Sequence, residues 1–354
     1  MLDLGLHGSW KHDEEQYVIR YDAILSVISG TKYDGLNRTE HHWIANVKEN
    51  SSGKWSGEIF YRKPEHLTFE KVEVSTINSM GMSKNLHVFL SSSSFYDDRK
   101  WLFFNANQFK PQYLRTVIVE MAAEENVDYV TSFNTHEHPN RPGELKNFNL
   151  TIPEVFRWAS IEVLMVEGNK KIPLSLAGSD LMWDNNELHQ AMLQHCMFKK
   201  DKFPIGWTIW LLNASNNINP DTSGIMFDEI ENHRQGAAVF NNSRYFVPPP
   251  HDPNPDAWVK RAKFWTTIHE IGHCFNLTHS FQKEIGTPWD SSLKNDTNAY
   301  SFMNYSHNAR NLTVQQNFFS NFYYTFTREE KLFMCHAPDE FVQMGNSNFT
   351  ENHG

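Results

Sequence analysis

The chain has 354 residues, of which 40% are hydrophobic and 14% aromatic, and its formal net charge is −10 at pH 7. That length and apolar content suffice for two ordinary domains with filled cores and exclude an intrinsically disordered chain. The acidic balance argues against nucleic acid or an anionic membrane surface as the main partner, and no run approaches the length of a transmembrane helix.

Residues 1–148 read as a β-rich, sandwich-like module. Strand-like runs cover Gln16–Arg20, His42–Val47, Trp55–Arg62, Leu67–Ile77, Leu86–Leu90 and Trp101–Asn105, separated by Gly, Asn, Ser and Pro clusters. The run Glu70-Lys71-Val72-Glu73-Val74-Ser75 alternates polar and apolar side chains, as a half-buried strand does. The N-terminus shows no charged segment leading into an apolar stretch, so no export signal is visible in it. Cys196, Cys274 and Cys335 are too few and too scattered for a disulfide framework. Tyr113–Asn126 is ambiguous: Thr116-Val117-Ile118-Val119 favours a strand, and Met121–Glu125 a helix. His136-Glu137-His138 has H-x-H spacing, but it lies among Asn and Pro with no further ligand in view and reads as a solvated loop. The Pro/Gly/Asn-rich segment 138–149 is the expected break between two domains.

After that break the elements alternate. Ile152–Trp158 reads as a short helix, Ile161–Val166 as a strand and Asn186–Cys196 as a second helix. Trp207–Leu212, Gly224–Asp228 and Ala237–Asn241 read as three strands. A long helix follows, with Asn254 as N-cap and Pro255 as its first residue. Trp258, Ala262, Trp265, Ile268 and Phe275 recur along it at near-helical spacing and mark a buried stripe. It runs into His269-Glu270-Ile271-Gly272-His273-Cys274-Phe275-Asn276-Leu277-Thr278-His279. His269 and His273, four residues apart, project from one helix face, so a single turn can supply two ligands to a zinc ion. Glu270 lies beside the first ligand, placed to take a proton from a water rather than to bind metal. His279 completes a three-His site with one open position if the helix stops near Asn276 and the chain reverses. Such a reversal calls for positive φ, which Asn tolerates best after Gly.

The pattern H-E-x-x-H-x-x-N-x-x-H resembles the long zinc signature of the metzincin metallopeptidases, with Asn276 where the usual form has Gly. Ser301-Phe302-Met303-Asn304-Tyr305 is similar to their Met-turn, and its S-x-M-x-Y form is closest to astacins and serralysins. The resemblance implies an α+β fold: a metzincin-like catalytic domain over 149–354, preceded by the β-rich domain 1–148 as an accessory or pro-domain. The catalytic domain would contain a twisted mixed sheet, a backing helix, the active-site helix, the Met-turn and a C-terminal helix. The capping box Thr327-Arg328-Glu329-Glu330 marks where that last helix would begin.

The same resemblance implies a zinc endopeptidase acting on a protein or peptide, with one Zn2+ held by His269, His273 and His279. Glu270 would be general base and acid, Tyr305 would hydrogen-bond the oxyanion or ligate zinc at rest, and Met303 would form the floor under the metal. Gly236-Ala237-Ala238-Val239-Phe240 would be the edge strand on which substrate pairs. Family members are mostly exported, whereas this N-terminus reads as cytoplasmic, and the sequence does not set the oligomeric state. Two other readings stay open: a binding or structural protein with a zinc staple whose β-module does the work, and a zinc hydrolase acting on a non-peptide amide or ester.

Overall fold

In the computed structural model, which describes residues 6–78, 84–93, 96–105, 113–198, 207–228, 235–283, 295–306 and 314–342, the chain is mixed α+β, with a large antiparallel sheet and a few helices. The first eight strands close on themselves. They are β1 (Gly8–His12), β2 (Glu15–Asp22), β3 (Val27–Tyr33), β4 (Thr39–Ser51), β5 (Lys54–Lys63), β6 (Lys71–Asn78), β7 (Lys84–Ser91) and β8 (Tyr96–Asn105). Each runs antiparallel to the next, and β8 returns to β1. The sandwich expected from the sequence is therefore corrected to a closed barrel. The difference lies in β1 and β3, which the period-two reading passes over: one is five residues long, and the other carries Gly30 and Lys32 inside its apolar run. With both in place every strand finds two neighbours, and closure removes the edges that a sandwich keeps. Register shifts in the β1–β8, β3–β4 and β4–β5 ladders supply the bends that closure needs. Trp10, Trp43, Trp55, Phe69 and Leu86 fill its core, each such buried side chain contributing roughly 2 kcal/mol or more.

The second sheet has the order β12 (Ile161–Glu167), β9 (Arg115–Ala123), β13 (Trp207–Ala214), β15 (Gly236–Phe240), β14 (Gly224–Met226). Strands β9, β13 and β15 are parallel, and β14 is antiparallel to β15. The ambiguous stretch 113–126 is thus a strand next to the centre of a sheet. Inner parallel strands are covered on both faces and read as unbroken apolar runs, which hides their period. The expectation that Gly236–Phe240 is the edge is overturned, because β15 pairs with β13 on one side and β14 on the other. Among the described residues the sheet ends at β14. A small two-stranded sheet joins β10 (Ser132–Asn134) to β11 (Asn149–Thr151).

Contacts divide the chain into a unit of residues 1–115 with 335–338 and a unit of residues 116–334 with 339–354. The division falls at Arg115, not at 148, because β9 is built into the second sheet and takes the following segment with it. That segment is not a solvated loop either. His138 is buried and its Nε2 donates to Asp252 at 3.0 Å, while Asn140 N–H donates to His138 Nδ1 at 3.0 Å. Glu137 meets Lys260 at 3.0 Å.

Six helices among the described residues complete the chain: α1 (Ile152–Arg157), α2 (Asn185–His195), α3 (Pro255–Cys274), α4 (Val314–Asn321), α5 (Arg328–His336) and α6 (Asp339–Val342). Thr151 with Glu154 and Asp184 with Glu187 form capping boxes that fix where α1 and α2 begin. In α3 the Asn254 side chain accepts Ala257 N–H, and Pro255 occupies the first turn, where its missing N–H costs nothing. Helix α3 packs against β13, β14 and β15, and every residue from Phe264 to Cys274 is buried.

Candidate metal centre

A helix buried on all sides must satisfy its polar side chains internally. His269 Nδ1 donates to the Phe302 carbonyl at 2.6 Å, and His273 Nδ1 donates to the Leu277 carbonyl at 2.8 Å. Carbonyl acceptors place each ring proton on Nδ1 and leave the Nε2 lone pair facing away. Those two Nε2 atoms lie 3.1 Å apart. His279 is held the same way, its Nδ1 donating to Gln282 Oε1 at 2.7 Å, and its buried Nε2 has no hydrogen-bond partner among the described residues. One ligand atom from each of the three lies within 4.8 Å of the others, and all three side chains are buried. Converging lone pairs repel unless a cation lies between them. Three neutral imidazoles fit zinc or a similar divalent ion, for which Zn–N bonds of about 2.0–2.1 Å set tetrahedral nitrogens about 3.3 Å apart.

The approach of His279 depends on the end of α3. Asn276 has φ 62°, in the left-handed region. Its N–H donates to the His273 carbonyl at 2.8 Å and Leu277 N–H returns to the Gly272 carbonyl at 3.2 Å, a closure typical of a helix that turns back sharply. The Asn276 side chain is used as well, with Nδ2 donating to the Phe341 carbonyl in α6 at 2.7 Å. Aromatic rings hold the imidazoles from outside. Trp265 stacks on His269 at 4.8 Å, and Phe281 on His279 at 5.0 Å.

The turn Ser301–Tyr305 lies under the helix. Gly272, between the two helical ligands, makes room for it: a methyl group there would collide with Met303 Sδ. Tyr305 sits with its ring 4.4 Å from that of His279 and 5.7 Å from that of His269. Burial raises its phenol above the ordinary range, helped by the Glu270 carboxylate and by Tyr245. The Tyr245 hydroxyl is 3.3 Å from Ser306 Oγ, at the end of the turn. Glu270 is buried, its Oε2 has no partner among the described residues, and burial pushes its carboxyl well above the carboxylate range. The edge strand comes directly against it: a Cβ at Gly224 would fall 2.6 Å from Glu270 Oε1. The strand beside Glu270 is therefore β14, and Gly236–Phe240 lies one place further in.

His269, His273, His279, Glu270, Met303 and Tyr305 meet in one place. Sequence reading missed Gln282, Gly272 and Gly224. The first had a signal, a polar side chain three residues beyond the third His, within reach of its ring. The glycines had none, because what they avoid lies in distant segments.

Burial lowers His269 to about 3, with His279 adding to the effect, and burial lowers His279 to about 4. His7 (about 4) and His336 are lowered by burial too. Their folded pKa values lie below the unfolded value near 6.5, so on acidification the unfolded chain takes up protons first. Stability of the metal-free chain is therefore lost from about pH 6.5 downward. His138, lowered by burial as well, adds to this effect, while Glu270 and Asp228, whose carboxyls burial raises, act in the opposite sense. The melting temperature of the metal-free chain should drop between pH 7 and pH 5, and a flat profile would contradict the burial of neutral imidazoles. The chain matches no protein-family model and no curated protein, so the site is read from its own geometry.

Proposed function

We propose that this protein is a zinc-dependent endopeptidase of the metzincin type. The observation that carries the reading is the convergence of three Nδ1-anchored imidazoles beside a buried carboxylate whose Oε2 has no partner among the described residues. Zinc held by His269, His273 and His279 would polarise the scissile carbonyl and lower the pKa of a water toward neutrality. Glu270 takes a proton from the attacking water and later passes it to the leaving amine. Its raised pKa suits a group that must hold that proton between the two steps. Tyr305, kept protonated by its surroundings, donates a hydrogen bond to the developing oxyanion.

The edge strand favours a peptide over other amides or esters. An extended substrate can pair with β14 and so lie next to Glu270. A zinc staple would need a fourth protein ligand, whereas the cluster among the described residues has three, and it would leave Glu270 without a role. The five-stranded sheet, the left-handed Asn276, the Met303 turn under Gly272 and the helix α5 support the metzincin assignment.

Metal analysis is expected to find one zinc per chain. Incubation with a mixed peptide library should give cleavage products by mass spectrometry that disappear with a chelator and return with zinc. A library left intact under both conditions would refute the peptidase reading. Gln282→Leu removes the acceptor that orients His279 and should weaken zinc binding by about tenfold or more, measured by competition with a chromophoric chelator. Unchanged affinity would show that Gln282 does not set the orientation of that ring.

A further inference from the structure

Glu330 is the last residue of the capping box that opens α5, and it is only 3% exposed. Its Oε2 accepts Thr327 N–H at 2.8 Å, and Glu330 N–H donates to Thr327 Oγ1 at 3.2 Å. A capping box asks nothing more of its glutamate. Here the same carboxylate accepts two further bonds from segments far away in sequence. Ser280 Oγ donates to Oε1 at 2.7 Å, and Ser301 Oγ donates to Oε2. Ser280 directly follows the third histidine. Ser301 opens the turn that supplies Phe302 O, the acceptor for His269, and Met303, which lies under Gly272. Ser280 N–H also donates to the Met303 carbonyl at 2.8 Å, so the two segments meet where Glu330 holds them. Lys283 Nζ, 3.7 Å from Oε1 and 3.2 Å from Thr327 Oγ1, offsets the buried charge.

We propose that Glu330 is a positioning residue for the metal centre: its buried carboxylate clamps the third-ligand segment and the Met303 turn to the first turn of α5, fixing His279 relative to His269. The inference rests on the metal reading above. A carboxylate suits the task because it only accepts and offers several lone pairs, so one side chain can gather hydroxyl and amide donors from three segments. Ligands held this way keep their geometry only as well as the surrounding shell does. The start of α5 and the approach of His279 are thus one construction.

The test uses the full-length chain, titrated with Zn2+ against a chromophoric chelator, with the visible spectrum of the Co2+-loaded protein as a report on ligand geometry. Ser280→Ala cuts the clamp from the third-ligand segment and leaves the capping box whole. It should weaken zinc binding by about tenfold and alter the Co2+ spectrum. Thr327→Ala removes the cap but leaves both serine bonds, so it should lower the melting temperature with zinc affinity within about threefold of wild type. Glu330→Leu should lose at least as much affinity as Ser280→Ala. Glu330→Gln should restore most of it, because a serine hydroxyl can turn to accept from the amide. If Glu330→Leu does not fold, the Ser280→Ala and Thr327→Ala pair decides. Equal zinc affinity and identical Co2+ spectra in Ser280→Ala and wild type overturn the clamp. Equal losses in Ser280→Ala and Thr327→Ala do so too, since they would mark a helix that merely stabilises the fold. A wild-type chain that takes up no zinc overturns the metal reading itself, which is a different result from wild type and variants all binding alike.

Discussion

Glu270→Gln is expected to leave the fold and the zinc affinity intact and to lower peptide hydrolysis by at least about a hundredfold, the scale of a lost general base. The substitution keeps shape and volume, so the close approach of Gly224 to this side chain is preserved. It removes only the capacity to take a proton. The surroundings do not require a charge here: burial alone raises the Glu270 carboxyl, and Oε2 has no hydrogen-bond partner among the described residues. A neutral amide avoids the desolvation of a carboxylate, so the metal-free variant should melt at or above the wild-type temperature at pH 7. The combination is diagnostic, because a residue kept for stability would give the reverse pattern. Turnover near that of wild type, with zinc bound, would remove Glu270 from the mechanism.

The features legible in the sequence are those that a single element encodes. The cap at Asn254, the proline after it, the apolar stripe and the histidine spacing all lie on one helix, and local physics sets each. The left-handed Asn276 belongs to the same class, since the chain must reverse within three residues to bring His279 back. The features that are not legible depend on partners distant in sequence. An unbroken apolar run marks Gly236–Phe240 as a strand but says nothing of which strand lies beyond it, so the edge reads one strand too far in. Closure of the barrel turns on β1 and β3, whose patterns are short or broken by Gly30 and Lys32. Gly224 and Gly272 look like ordinary glycines until Glu270 and Met303 arrive against them from other segments. Glu330 reads as a helix cap, and its bond to Ser280 spans 50 residues of sequence.

Asn276→Val should abolish zinc binding and activity, whereas Asn276→Gly should keep both. A residue held at φ 62° costs an ordinary L-amino acid roughly 1–2 kcal/mol, and a β-branched side chain makes that conformation a steric outlier. Valine would therefore drive the backbone out of the left-handed region. Two ligands depend on the path of the chain beyond Asn276. The Leu277 carbonyl accepts His273 Nδ1, and Leu277 N–H closes on the Gly272 carbonyl, so a shift at 276 moves the acceptor of one ligand. It also misdirects the three-residue path to His279, the other. Glycine adopts positive φ without strain, and the turn survives. It does lose the Nδ2 bond to the Phe341 carbonyl, a part-buried hydrogen bond worth about 1 kcal/mol, so the glycine variant should melt a few degrees lower with unchanged zinc stoichiometry. Metal analysis of the two purified variants, with melting curves alongside, separates the effects. Equal zinc content in the valine and glycine chains would show that the approach of His279 does not depend on a left-handed residue at 276.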